Sequence, residues 1–160
     1  MTAPLDVESP ALDALGTTMQ DFGRMVAQGR VIEAVLKHTR IDLSRADVSL
    51  LKALLDSGVG VRQGDLADRL AVDAPTVTRR VQQLEARRLV QRTADPLDRR
   101  AQLVQLTPAG TRLIKRAMVA FQEWLQTVMS SWTQSDRDRL AELLSRFTDD
   151  CYRTLGCHGH

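Results

Sequence analysis

Apolar positions recur at helical spacing through most of this chain, and the pattern gives way to short strand-like runs only near the middle. From Ala11 to about His38, Leu12, Leu15, Met19, Phe22 and Val26 return at alternating intervals of three and four residues, and Ile32, Val35 and Leu36 continue the series. That spacing predicts a helix with a seam along one side, weakened or closely approached at Gly23 and Gly29. Apolar residues on more than one of its sides need more than one neighbour, and either a buried core or a second chain meets that need. Residues 1–10 hold two prolines and little periodicity, and read as a mobile tail.

Ser44-Arg45-Ala46-Asp47 has the form of a capping box. Val48, Leu51, Leu54 and Leu55 follow at helical spacing until Ser57-Gly58 stops the run. Val59 to Arg62 suits a short strand. Gln63 to Leu70 is the next helix, with Leu66, Ala67 and Leu70 inward, and Ala71-Val72 leaves room only for a tight turn. Asp73 then caps another helix by accepting a free backbone N–H, and Pro75 fits its first turn. There Val77, Val81 and Leu84 share one face, while Pro75, Arg79, Gln82 and Ala86 point the opposite way with Thr78 on the flank. Two short helices joined this closely make a helix-turn-helix.

Two strand-like runs come next, Leu89 to Thr93 and Leu103 to Leu106. Their link, Ala94 to Arg100, carries turn chemistry and ends in two arginines. Helix, strand, basic loop, strand is the plan of a winged helix. Thr107-Pro108 opens a long helix whose stripe is Leu113, Ala117, Phe121, Trp124, Val128 and Met129. The pattern breaks from Trp132 to Ser135, and Thr133-Gln134-Ser135-Asp136 resembles a second capping box. Leu140, Leu143, Leu144, Phe147, Cys151 and Leu155 line a last helix, which Gly156 ends. The expected fold is mainly α with a small β-wing. It comprises a tail (1–10), an N-terminal helix (11–43), a winged helix-turn-helix (44–106), C-terminal helices (107–155) and a short tail (156–160).

Charge sharpens this picture. The whole chain carries a formal charge of only +2, yet from Arg79 to Arg100 seven arginines stand against three acids, Glu85, Asp95 and Asp98. A local basic excess is the footprint of a phosphate-binding face. Guanidinium groups suit bidentate contacts with guanine and narrow minor grooves. In a helix-turn-helix the second helix enters the major groove with its N-terminal residues first. Pro75, Thr76, Thr78, Arg79 and Gln82 therefore sit where base edges are read. Arg79 suits a guanine, and Thr76 or Thr78 a thymine methyl or a phosphate. Arg80 lies nearer the buried face and is expected at a phosphate.

Other chemistries find less support. Aromatic residues make up 4% of the chain, so no stacking platform for single strands is apparent. No apolar run reaches membrane-spanning length, and the acidic N-terminus does not read as a signal peptide. Two cysteines make no disulfide framework, so a reducing cytoplasm is the expected location. No nucleotide, protease or hydrolase motif is present. The histidines, His38, His158 and His160, complete no catalytic constellation, so no enzyme is expected. Cys151, Cys157, His158 and His160 place ligand-type side chains near the C-terminus in no usual zinc spacing. One helix cysteine and a polar tail account for them, and no metal or cofactor is expected. A redox switch at Cys151 or Cys157 needs an exposed, low-pKa thiolate. A winged helix used only for protein contacts is the remaining alternative.

The residues from Gly64-Asp65-Leu66-Ala67 onward carry a family likeness. Its most specific part is Asp95-Pro96-Leu97-Asp98-Arg99-Arg100-Ala101 followed by Leu106-Thr107-Pro108-Ala109-Gly110. This segment resembles the MarR family of bacterial transcription regulators, and the likeness extends more loosely from about residue 11 to 155. The resemblance implies a homodimer built by the N- and C-terminal helices, most often a repressor, on a near-palindromic double-stranded operator. It implies that Arg100 reaches a minor groove from the wing tip, beside Arg99, with Asp98 steadying it. A turn residue bonding its own backbone is the other reading of Asp98. Many members of the family bind small phenolic or lipophilic anions. Phe22, Met25, His38 and Trp124 are candidates for such an effector, although core or dimer packing is the more common role for residues of these types. One departure stands out: Arg88 occupies a position where the family usually has Gly, which ends the helix in a left-handed conformation at low cost.

Overall fold

The computed structural model describes residues 9–39, 41–96, 98 and 101–156. Its elements are α1 (Pro10–Ala27), α2 (Arg30–Thr39), α3 (Arg45–Ser57), β1 (Val61–Arg62), α4 (Gln63–Leu70), α5 (Ala74–Ala86), β2 (Val90–Ala94), β3 (Gln102–Leu106), α6 (Pro108–Val128) and α7 (Gln134–Leu155). The chain forms two compact units, one up to Phe121 and one from Gln122 onward.

The first unit holds the winged helix-turn-helix. Its core joins Leu50, Leu51 and Leu54 of α3, Leu66 of α4, Val77, Val81 and Leu84 of α5, Val90 and Val104 of the sheet, and Ile114 of α6. The sheet has the order β1-β3-β2, with both pairings antiparallel. Val104 lies opposite Val61 on one side and Arg92 on the other. Both capping boxes form. Asp47 Oδ2 accepts the Ser44 N–H at 2.8 Å while Ser44 Oγ accepts the Asp47 N–H at 3.1 Å. Thr133 and Asp136 repeat the exchange at the start of α7. In each case two N–H groups that the helix leaves open are satisfied.

The N-terminal helix expected from residue 11 to about 38 is two helices. α1 stops at Ala27, and Gly29 turns the chain at φ +71, a conformation glycine adopts without steric cost. The Arg45 side chain closes over this turn. It donates to the Ala27 carbonyl, and its Cδ lies 3.2 Å from where a Cβ on residue 29 would stand. α1 also begins at Pro10, inside the expected tail; residues 1–8 of that tail lie outside the described residues.

The stripe expected on α6 is met in its first half, where Ala117 is buried and Leu113 packs against the core, and fails in its second half. Gly110, Ile114, Ala117 and Ala120 are buried, whereas Phe121 is 40% and Val128 55% exposed. Gly110 packs on the Leu89 carbonyl, and that approach sets the rotation that carries Ile114 and Ala117 inward. No residue of α1 is buried, and its seam of Leu12, Leu15, Met19, Phe22 and Val26 is exposed. α7 likewise buries none of its residues, and leaves Leu143, Leu144, Phe147 and Leu155 exposed. Among the described residues no helix is long and apolar enough to cross a membrane.

Candidate nucleic-acid interface

α5 is placed by its buried side. Val77, Val81 and Leu84 are at most 1% exposed, and the 100° step of a helix then turns Pro75, Thr76, Arg79 and Gln82 to the surface, with Thr78 half-buried. Among the described residues Arg79 forms no hydrogen bond or ion pair, and its guanidinium is left open to a partner. The start of the helix is fixed by Asp73. Its Oδ1 accepts the Thr76 N–H at 2.8 Å, and its Oδ2 accepts the Thr76 hydroxyl, also at 2.8 Å. That engagement leaves the methyl of Thr76 as the group free to meet a thymine methyl.

The Thr76 hydroxyl, and then the Thr76 N–H, hold the Asp73 carboxyl below its ordinary value of 3.8. A carboxyl with a lower pKa folded than unfolded contributes stability above its unfolded pKa, and that contribution is lost as pH falls through the folded one. The Asp73→Asn variant should therefore unfold at a lower urea concentration than the parent near neutral pH. The gap should narrow below about pH 4. A gap that is constant with pH would show that the cap does not act through its charge.

At the other end of α5, Arg88 takes the left-handed conformation at φ 58 that the family usually gives to Gly. A non-glycine residue there costs about 1–2 kcal/mol. The turn is tied back to its own helix, where Leu89 N–H donates to the Leu84 carbonyl at 2.9 Å, and from outside, where the Thr107 hydroxyl donates to the Arg88 carbonyl at 2.7 Å.

The seven arginines of the basic stretch are not equivalent. Arg80, expected at a phosphate, lies along the start of α3. Its Nη1 is 3.3 Å from Asp47 Oδ1, with Ser44 Oγ and Gln83 Oε1 each at 3.4 Å. Arg87 donates to the Asp42 carbonyl, meets the Asp42 carboxylate at 3.1 Å and approaches Asp47 to 3.7 Å. Arg92 Nε lies 3.3 Å from Glu85. Among the described residues, Arg80, Arg87 and Arg92 are thus partnered within the chain, the first two by acids upstream of the stretch. Counting charges along the sequence misses this. The available signal is Asp47 itself, a capping-box acid on a helix that α5 packs against.

At the base of the wing Asp95 is 5% exposed. Arg62 Nε and Nη2 donate to its Oδ2 at 2.8 and 2.6 Å, and this bond, then the Asp95 charge, raises the Arg62 pKa further. The Asp95 N–H donates to the Ala101 carbonyl at 3.1 Å, and the Ala101 N–H to the Asp98 carbonyl at 2.9 Å. Asp98 is exposed; Arg99 and Arg100 lie outside the described residues. The Arg62–Asp95 pair has no counterpart in the sequence reading.

A cavity of about 450 Å³ opens between α3, α4 and α5, with Arg45, Arg69, Leu70, Thr76 and Arg80 in its lining. None of the effector candidates lines it. Phe22 and Met25 stand on α1 and His38 on α2, Phe22 and His38 exposed and Met25 half-buried, while Trp124 is half-buried in the second unit. Cys151 is a free, half-buried thiol of α7; Cys157, His158 and His160 lie outside the described residues. Among the described residues no group of three or more His, Cys, Asp or Glu is placed to hold a metal ion.

Residues 41–101 match the MarR family. The transcriptional repressor NicR of Pseudomonas putida is 34% identical over 150 residues, covering 88% of this chain and 93% of NicR. A MarR family protein from Bacillus stearothermophilus has a similar structure, with a TM-score of 0.77 at 19% identity over 91% of this chain and 99% of that one. A point mutant of S. aureus MepR bound to an oligodeoxyribonucleotide aligns with a TM-score of 0.60 at 23% identity, over 82% of this chain and 96% of that one.

Proposed function

The chain belongs to the MarR family of helix-turn-helix transcription regulators, and from that starting point we propose that it is a sequence-specific repressor, acting as a homodimer on a near-palindromic operator in the cytoplasm. The observation that carries this reading is the pose of α5. Its valine face is sealed in the core, and Arg79 stands exposed, with no hydrogen bond or ion pair among the described residues, beside Pro75, Thr76, Thr78 and Gln82. That array offers one bidentate donor, methyl groups and an amide to base edges. Asp98, Arg99 and Arg100 are proposed to serve the wing. MepR, bound to an oligodeoxyribonucleotide, supports DNA as the partner, and NicR, a repressor, supports repression.

The exposed seams of α1 and α7 support the dimer, because contiguous apolar rows this long are rarely left to water. Release by a small aromatic or lipophilic anion completes the proposal, with Phe22, Met25, His38 and Trp124 as the residues to vary. Such an effector must bind the DNA-competent and DNA-incompetent states with different affinity.

Selection of bound fragments from random double-stranded DNA tests the reading. The expected product is a near-palindrome with half-sites about ten base pairs apart. Recovery of no motif, with binding that follows salt concentration alone, would mean non-specific phosphate attraction and would bring forward a winged helix used for protein contacts.

A further inference from the structure

We infer that Asp47 is a positioning residue for DNA reading: it fixes the angle of α5 by holding Arg80 and Arg87 against the start of α3, and it keeps both guanidinium groups off the phosphates. The inference rests on the DNA-binding role proposed for α5.

The geometry has three parts. The Asp47 carboxylate is itself anchored, since Oδ2 accepts the Ser44 N–H at 2.8 Å and the residue is 5% exposed. Arg80 meets its other oxygen at 3.3 Å, and Arg87 approaches Oδ2 to 3.7 Å. Arg80 and Arg87 are seven residues apart, two helical turns, so they project from the same side of α5. One buried charge therefore grips α5 along two turns, and Asp42 at 3.1 Å from Arg87 extends the grip outward. A buried carboxylate with two arginines is a poor source of net stability, but it is directional and costly to break. Those properties suit a device that sets an angle. Arg79 projects from α5 one residue away from Arg80, so a rotation that released Arg80 would also displace Arg79.

The test compares Asp47→Asn, Asp47→Glu and Arg80→Gln with the parent on the selected duplex and on a scrambled duplex of the same length, across a salt series. Asn at 47 still offers an oxygen to the Ser44 N–H but carries no charge. Its preference for the selected duplex should fall by about tenfold or more. Its binding to the scrambled duplex should hold or tighten, and the salt slope should steepen by about one for each arginine released. Glu at 47 preserves both the capping box and the charge, and should keep the preference within about threefold. Arg80→Gln keeps both reciprocal bonds of the capping box and gives up only the long contact of Arg80 Nη1 with Ser44 Oγ, so it reports even if Asp47→Asn fails to fold. It should lose preference with its scrambled-duplex affinity and salt slope unchanged.

If Arg80→Gln instead weakens both duplexes equally and lowers the slope by about one, Arg80 is a phosphate contact and the inference is wrong. If Asp47→Asn keeps the parent's preference, it is wrong as well. A parent with no preference for any selected duplex would overturn the DNA-reading role itself, and the inference with it.

Discussion

Arg79→Ala is expected to lower affinity for the selected duplex by roughly 30-fold to more than ten-thousandfold, taking one bidentate base contact in each half-site at about 1–3 kcal/mol apiece. The size of the effect follows from how Arg79 is held. Val77 and Val81 flank it in sequence and are buried at 1% and 0% exposure, so the backbone beneath Arg79 has little freedom. Among the described residues its side chain makes no internal pair that would have to be broken before binding DNA. Arg80, next along the chain, differs in this respect, because it is already engaged by Asp47. On a scrambled duplex, Arg79→Ala removes only a positive charge from each protomer, and its effect should be much smaller. Equilibrium titration of both duplexes by fluorescence anisotropy checks this. An equal loss on both would make Arg79 a phosphate contact and leave base reading to other residues.

The second large effect is on folding. Gly110→Ala is expected to destabilise the protein by about 2–3 kcal/mol or more, the upper end of what overpacking costs. A Cβ at residue 110 would stand 2.0 Å from the Leu89 carbonyl oxygen and 2.9 Å from its carbon. Both are backbone atoms, and no rotamer change relieves them. The same oxygen accepts the Thr107 N–H at 3.0 Å, and Thr107 Oγ1 accepts the Gly110 N–H at 3.1 Å. Any shift that admits the methyl also pulls on the junction between β3 and α6 and on the Arg88 turn. Gly16→Ala supplies the contrast. It lies in α1, and its Cβ would meet nothing within 4 Å, so it should be neutral or stabilising by up to about 1 kcal/mol. Urea unfolding of the two variants side by side measures the difference. Similar midpoints would show that the close approach of α6 to Leu89 is not a constraint on the fold.

Gly110 also shows what the sequence can and cannot reveal. The helix-turn-helix is legible because its signals are local. Asp73, Pro75 and the valine spacing lie within a few residues of one another, and Ser44 and Thr133 announce their helices through boxes four residues long. The stripe on α6 is right at Leu113 and Ala117 and misread beyond them, because periodicity shows that a face is apolar without showing what covers it. Phe121 and Val128 belong to a row that this chain's own core leaves exposed, while the buried row follows from one contact at Gly110. The break between α1 and α2 is hidden for a related reason. A lone glycine inside a helical pattern is tolerable, and only the Arg45 side chain, arriving from the next helix, commits Gly29 to a turn.

The candidate interface divides in the same way. Exposure of Arg79 and Gln82 follows directly from the helical period. The fates of Arg80 and Arg62 do not, because each pairs with an acid 33 residues away. Arg88 lies between these cases. Its departure from glycine is visible in the sequence, and the left-handed conformation is present all the same, with the Thr107 hydroxyl donating to the Arg88 carbonyl and the next N–H, that of Leu89, donating to the Leu84 carbonyl.

The central claim is that α5 reads base sequence, and the most direct measurement is the ratio of dissociation constants for the selected duplex and a scrambled duplex of equal length and composition, at one fixed salt concentration. The account predicts a ratio of about a thousand or more, as for specific regulators generally. A ratio near one, with both complexes weakening in parallel as salt rises, would contradict it.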